Sequence, residues 1–121
     1  MTAKIKQITP ILRVINLEVA IQFYVEQLCF TLDFTYEDFY AGIEKDGHLV
    51  HLKMVDAIAG EDFMRRNDED VCLLFSVNDI AGLFQEISEK PVEIVQRLRE
   101  MPYGKEFYIA DPDGNLIAFV E

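Results

Sequence analysis

The sequence predicts an α+β fold made of two copies of one β-α-β-β-β unit, and three observations carry that expectation. An internal repeat comes first. TPILRV at residues 9–14, a helical pattern and FYAGIEKDGHLVHL are followed by CLLFSV at 72–77, a second helical pattern and FYIADPDGNLIAF. The spacings agree: Thr9 lies five residues before Val14 as Cys72 lies five before Val77, and Gly47 lies four before His51 as Gly114 lies four before Ala118. The second observation is size. A chain of 121 residues is one domain, and each half would be marginal alone. The third is composition, because 50% of residues are apolar, with nine Phe and five Tyr, enough for a substantial core. The expected organisation is a single domain over 1–121, with modules at about 5–55 and 70–121 and a charged connector at 56–70. Paired units of this kind can close a sheet around a cavity.

Residues 5–14 are predicted as the first strand, with Pro10 marking an edge or bend. Asn16 is placed to cap a helix over 17–28, where Leu17, Ala20, Ile21, Tyr24 and Leu28 recur at helical spacing. Residues 30–36 alternate as a strand, and 39–44 with 48–54 form a hairpin around Lys45–Asp46–Gly47. The connector DAIAGEDFMRRNDED interrupts this pattern and has room for a short helix. Residues 71–77 read as a buried strand. Asn78 or Asp79 caps a helix to about 88, with Ile80, Leu83, Phe84 and Ile87 on one stripe, and Lys90–Pro91 ends it. Strands are predicted at 92–98, 106–110 and 115–120, the last two joined by Asp111–Pro112–Asp113–Gly114, read purely as a turn.

The net charge of −11 argues against a phosphate backbone as ligand and disfavours an anionic membrane, so neither nucleic acid nor membrane is an expected partner. It suits a cationic ligand. Cys29 and Cys72 form no redox or disulfide motif and read as small buried hydrophobes. No apolar run is long enough for a signal peptide or membrane span, and the expected location is cytoplasmic. No Gly-rich phosphate loop, nucleophile elbow or Ser-His-acid set is present, and Ser76 and Ser88 have no activating context.

In their shared order, PILRVINLEVAIQFYVEQLCF, GHLVHLKM and MPYGKEFYIADPDGNLIAFVE resemble the glyoxalase, bleomycin-resistance and extradiol dioxygenase (vicinal oxygen chelate) superfamily across essentially the whole chain. DFTYEDFYAGIEKDG followed by MPYGKEFYIADPDGN is closest in pattern to its bleomycin-resistance members. The resemblance implies paired βαβββ modules in an incompletely closed eight-stranded sheet with helices outside. It also implies a homodimer, often with an exchanged N-terminal strand, whose two ligand crevices lie where the subunits meet. Metal-dependent members place one ligand on each of four strands, and the matching positions here are Thr9, His51, Cys72 and Ala118. Only His51 is an ordinary member of such a set. Ala118 offers no donor or base, so no metal or other cofactor is expected.

Strand alternation directs His51 toward the cavity, to meet a ligand or a neighbouring side chain, and puts His48 on the opposite face. Two segments carry recognition chemistry: Tyr36–Glu37–Asp38–Phe39–Tyr40 and Met101–Pro102–Tyr103–Gly104–Lys105–Glu106. By the resemblance, Phe39 and Tyr103 match groove aromatics, although resistance-type grooves commonly present Trp where Tyr103 stands. Such rings stack on flat heteroaromatic groups or engage cations, while Glu37 and Asp38, with Glu61 and Asp62, attract an amine or guanidinium. Arg65 and Arg66 read as surface residues. Bleomycin-like sequestration without catalysis is therefore the leading expectation. An atypical lyase, isomerase or dioxygenase and a ligand-free structural or regulatory dimer are the rivals.

Overall fold

A computed structural model describes residues 2–56 and 70–121. The connector, with its possible short helix and Glu61, Asp62, Arg65 and Arg66, lies outside the described residues except for its ends. The strands are β1 (Ile11–Val14), β2 (Thr31–Tyr36), β3 (Tyr40–Lys45), β4 (His48–Met54), β5 (Val71–Ser76), β6 (Glu93–Met101), β7 (Gly104–Ala110) and β8 (Leu116–Val120). Helix α1 (Leu17–Gln22) runs into a π-helical turn at Phe23–Gln27, and α2 spans Ile80–Ser88. The strands form two four-stranded mixed sheets, ordered β1-β4-β3-β2 and β5-β8-β7-β6. The helices lie outside and the sheets do not close fully. Each half thus repeats one topology, with a parallel outer pair, β1 on β4 or β5 on β8, and two antiparallel pairs.

The first strand is shorter than expected. Pro10 accepts from the His51 amide at 2.9 Å but has no N–H to return, so the ladder starts at Ile11. Thr9 therefore precedes the sheet rather than lying on a strand. Asn16 caps α1 by accepting from the Val19 amide at 3.1 Å. The π turn adds a residue to the helical phase and lets the adjacent Phe23 and Tyr24 both reach the core, their rings edge-to-face at 5.2 Å. Cys29, expected in the interior, is exposed at φ 62°, where the chain leaves this turn, and Cys72 is half-buried. Asp79, in the left-handed region at φ 55°, caps α2, and the Glu121 carboxylate accepts from the Asp79 and Ile80 amides.

Asp46–Gly47 closes the β3–β4 hairpin with positive φ at both positions. The β6–β7 hairpin is longer than expected, because Gly104 at φ 136° lets a Pro102–Tyr103 turn join strands that reach Met101 and Gly104. One core cluster contains Leu12, Val14, Tyr24, Ile43 and Leu52 of the first half with Ile80, Phe107, Ile117 and Phe119 of the second.

The DPDG segment does more than turn the chain. Asp111 accepts from the amides of Asp113 (2.9 Å) and Asn115 (2.8 Å), from Asn115 Nδ2 (2.9 Å) and, across the halves, from the buried Tyr24 hydroxyl (2.7 Å). Asp113 accepts from the Ile15 amide at 2.7 Å, and Asn115 Nδ2 donates to the Arg13 carbonyl at 3.1 Å. Burial and the adjacent Asp111 charge push the Tyr24 phenol well up. Burial also raises the Asp113 carboxyl, against the lowering effect of the Ile15 amide.

Candidate functional site

In the first half, Ala41, Ile43, Val50 and Leu52 are buried toward α1, so Tyr40, Gly42 and His51 belong to the face that the helix leaves uncovered. On β2 the face changes midway. Leu32 pairs with Ile43 but Phe34 pairs with Gly42, since Asp33 forms a bulge, and Phe34 and Tyr36 thereby join the uncovered face. Phe34 lies across Gly42, where a Cβ would sit 2.2 Å from its ring. Its edge meets His51 at 5.2 Å between centroids, and it stacks on Tyr40 at 6.3 Å. The Tyr40 hydroxyl and His51 Nδ1 are hydrogen-bonded at 2.8 Å. Beyond this aromatic shelf, Tyr36 and Phe39 meet edge-to-face at 5.7 Å on the β2–β3 turn, where Glu37 (φ 52°) and Asp38 are exposed.

The uncovered face of the second half carries a polar cluster beside the apolar Leu74 and Ala118. Register makes Glu106 the counterpart of Tyr40: Tyr40 pairs with Lys53 and Gly42 with His51, as Glu106 pairs with Val120 and Tyr108 with Ala118. Glu106 is only 2% exposed. Its Oε2 accepts from Arg99 Nε (2.8 Å), Arg99 Nη2 (2.6 Å) and the Tyr108 hydroxyl (3.1 Å), and its Oε1 accepts from the Tyr103 hydroxyl. Burial pushes the Glu106 carboxyl up, but the donors Tyr103, Arg99 and Tyr108 outweigh it and hold it below the usual carboxylate range. The same bond, then desolvation, raises the Tyr103 phenol. With Arg99 neutralising Glu106, the exposed negative charge near the aromatic groups resides on Glu37 and Asp38.

Most of the Tyr103 ring is exposed. Beside it, Glu100, Met101, Pro102, Gly104, Lys105 and Glu121 line a shallow depression of about 550 Å³ with no aromatic wall. Tyr36, Glu37, Asp38 and Phe39 are together on one turn, and Met101 and Tyr103 belong to another. Among the described residues, no hydrogen bond or ring contact joins these turns. His51 is half-buried and satisfied by Tyr40, and His48 is exposed. Phe34, Arg99, Glu106 and Tyr108 acquire roles that the linear sequence did not assign. The hairpin turn at Asp46–Gly47 already pairs Gly42 with His51, so part of the shelf could have been found from register.

The four positions that match metal ligands do not make a metal site. Thr9 Oγ1 accepts from Gln7 Nε2 at 2.9 Å, and His51 Nδ1 is engaged by Tyr40. Cys72 Sγ is 3.7 Å from Asn115 Oδ1, and Ala118 ends in a methyl group. Among the described residues, no group of three or more His, Cys, Asp or Glu side chains could hold a metal ion. No helix among them is long and apolar enough to cross a membrane.

Two βαβββ modules, each carrying an uncovered sheet face, define the scaffold, and its quartet of matching metal positions lacks a full donor set. The chain belongs to the Glyoxalase/Bleomycin resistance protein/Dioxygenase superfamily, whose family model matches residues 4–119. No curated protein matches it. Its fold is similar to that of UcmS2, at 20% identity over 99% of this chain and 98% of that chain, with a TM-score of 0.79. It is also similar to the bleomycin-binding protein of bleomycin-producing Streptomyces verticillus, solved with copper(II)-bleomycin, at 22% identity over 98% of both chains and a TM-score of 0.72. TnmS3, an antibiotic binding protein from Streptomyces sp. CB03234, shares 21% identity over 98% of both chains, with a TM-score of 0.70.

Proposed function

We propose that this chain is a non-catalytic binding protein that sequesters a cationic, partly aromatic small molecule, with a bleomycin-like antibiotic as the named candidate. The carrying observation is the aromatic shelf of Phe34, Tyr40 and His51, continued by the Tyr36–Phe39 pair and bordered by the exposed Glu37 and Asp38. A flat heteroaromatic group stacks on such rings, and an amine or guanidinium is attracted by the ring faces and carboxylates. The likeness to antibiotic-binding proteins supports the same reading.

The working unit proposed is a homodimer. Every residue of β2 is exposed, including Leu32, Phe34 and Tyr36, and a second copy would cover part of that edge and wall the groove. Binding would protect by lowering free ligand, with no bond made or broken. Calorimetric titration of metal-free and copper(II)-bleomycin tests this. Saturable submicromolar binding at one ligand per subunit is expected, lost when Phe39 or Tyr103 is replaced by Ala. No heat and no displacement in a second binding assay would overturn bleomycin as the ligand.

A further inference from the structure

We propose that Glu106 is the positioning residue for Tyr103, fixing its ring at the tip of the β6–β7 hairpin before any ligand arrives. An aromatic side chain that is 65% exposed would ordinarily sample several rotamers. Here the backbone beneath it is held on both sides. Pro102 restricts the chain before it, Gly104 sits at φ 136° after it, and Lys105 and Glu121 exchange both backbone hydrogen bonds at 3.1 and 3.0 Å. The side-chain torsions remain, and the hydroxyl bond to Glu106 removes that freedom.

Glu106 can act as an anchor because it is itself held. Arg99 grips Oε2 through two nitrogens, donates from Nη1 to Gln96 Oε1 at 3.2 Å, and places its guanidinium 5.7 Å from the centre of the Tyr108 ring. Tyr108 donates to the same Oε2. Oxygen Oε1 is left to Tyr103 alone among the described hydrogen bonds. The chain of contact therefore runs from a buried carboxylate outward to one solvent-facing ring. The first half has no such anchor, since its counterpart position is Tyr40, bonded to His51.

Given the proposed binding role of Tyr103, on which the second readout rests, fixing the ring removes an ordering cost from binding, equivalent to about 2- to 10-fold in affinity. The test labels the protein with 3-fluorotyrosine and assigns the Tyr103 ¹⁹F resonance by its loss in Y103F. In E106Q, that resonance is expected to move toward free fluorotyrosine, with its phenol titrating nearer the ordinary range. Affinity for copper(II)-bleomycin is expected to fall about 2- to 10-fold in E106Q and Y103F alike, with no further loss in the double variant. If E106Q does not fold, Arg99→Lys, which loosens the grip from a partly exposed position, is expected to give the same change in smaller measure. An unchanged Tyr103 resonance and titration in the folded variant would overturn the positioning role, whatever the drug does. A released ring with no copper(II)-bleomycin binding by any form would uphold positioning and overturn bleomycin as the ligand.

Discussion

Replacing Tyr24 by Phe removes a single oxygen from the centre of the molecule, and the structure sets the size of the effect. Tyr24 has no exposed surface, and its hydroxyl donates to Asp111 Oδ2 at 2.7 Å. Phe keeps the ring and its edge contacts with Phe23 and Phe30, so no cavity opens. A hydrogen bond to a carboxylate contributes about 1.5–3 kcal/mol. Asp111 Oδ2 keeps Asn115 Nδ2 as a donor, so the loss should lie low in that range, at about 1.5–2 kcal/mol. For a domain of this size, that lowers the melting temperature by about 6–8 °C. The sign of the pH dependence is a second signature. The folded phenol is raised above its unfolded value, so its contribution is full below the ordinary phenol range and is lost as pH rises from that range toward the higher folded value. Y24F lacks that contribution, so the gap between the two proteins should narrow above about pH 10. Urea denaturation at neutral and alkaline pH measures both effects. A neutral loss below about 0.5 kcal/mol, or a gap constant to about pH 11, would refute the reasoning.

Gly104→Ala should cost more than about 2 kcal/mol by urea denaturation, because φ is 136° and the new Cβ would lie 2.2 Å from the Glu121 carbonyl oxygen. Gly42→Ala should cost only about 1 kcal/mol, since the displaced atoms belong to a partly exposed Phe34 ring; loss of the ring-current shift on His51 in proton NMR would report the move. Equimolar Zn²⁺ or Ni²⁺ should shift the melting temperature by less than about 1 °C, and a larger shift abolished in H51A would contradict the donor analysis. In acid urea denaturation, stability should fall below the ordinary carboxylate range through the lowered Glu106 carboxyl, a limb that E106Q lacks, whereas the raised Asp113 carboxyl acts in the opposite sense and above that range.

The repeat, the helix caps and the glycine turns were legible because they are local: Asn16, Asp79 and Asp46–Gly47 act within a few residues of themselves. What escaped depends on register. Matching the two FY pairs aligns Tyr40 with Tyr108, whereas cross-strand pairing makes Glu106 its counterpart, because the Asp111–Asn115 loop is longer than the β3–β4 turn. The bulge at Asp33 likewise decides which face Phe34 joins, and no alternation rule locates a bulge. The Met101–Glu106 segment is legible as a recognition segment, but the partner of Glu106 is not, because Arg99 lies opposite it only once β6 and β7 are in register. Met-Pro-Tyr-Gly reads as a loop, which concealed the extent of β6 and β7.

The joint between the halves runs in one direction. The turn after β7 reaches across to Ile15 and Tyr24, whereas the corresponding turn after β3 is exposed and, among the described residues, bonds locally, Gly47 to Glu44 and Lys45 to Asp46. Two copies that share a topology have thus taken unequal duties: one supplies the clasp and the other the eye into which it hooks. The hairpin at residues 45–48 is free to vary in length and chemistry as an ordinary surface turn. The loop at residues 111–115 is not, because its spacing is measured by a partner in the other half.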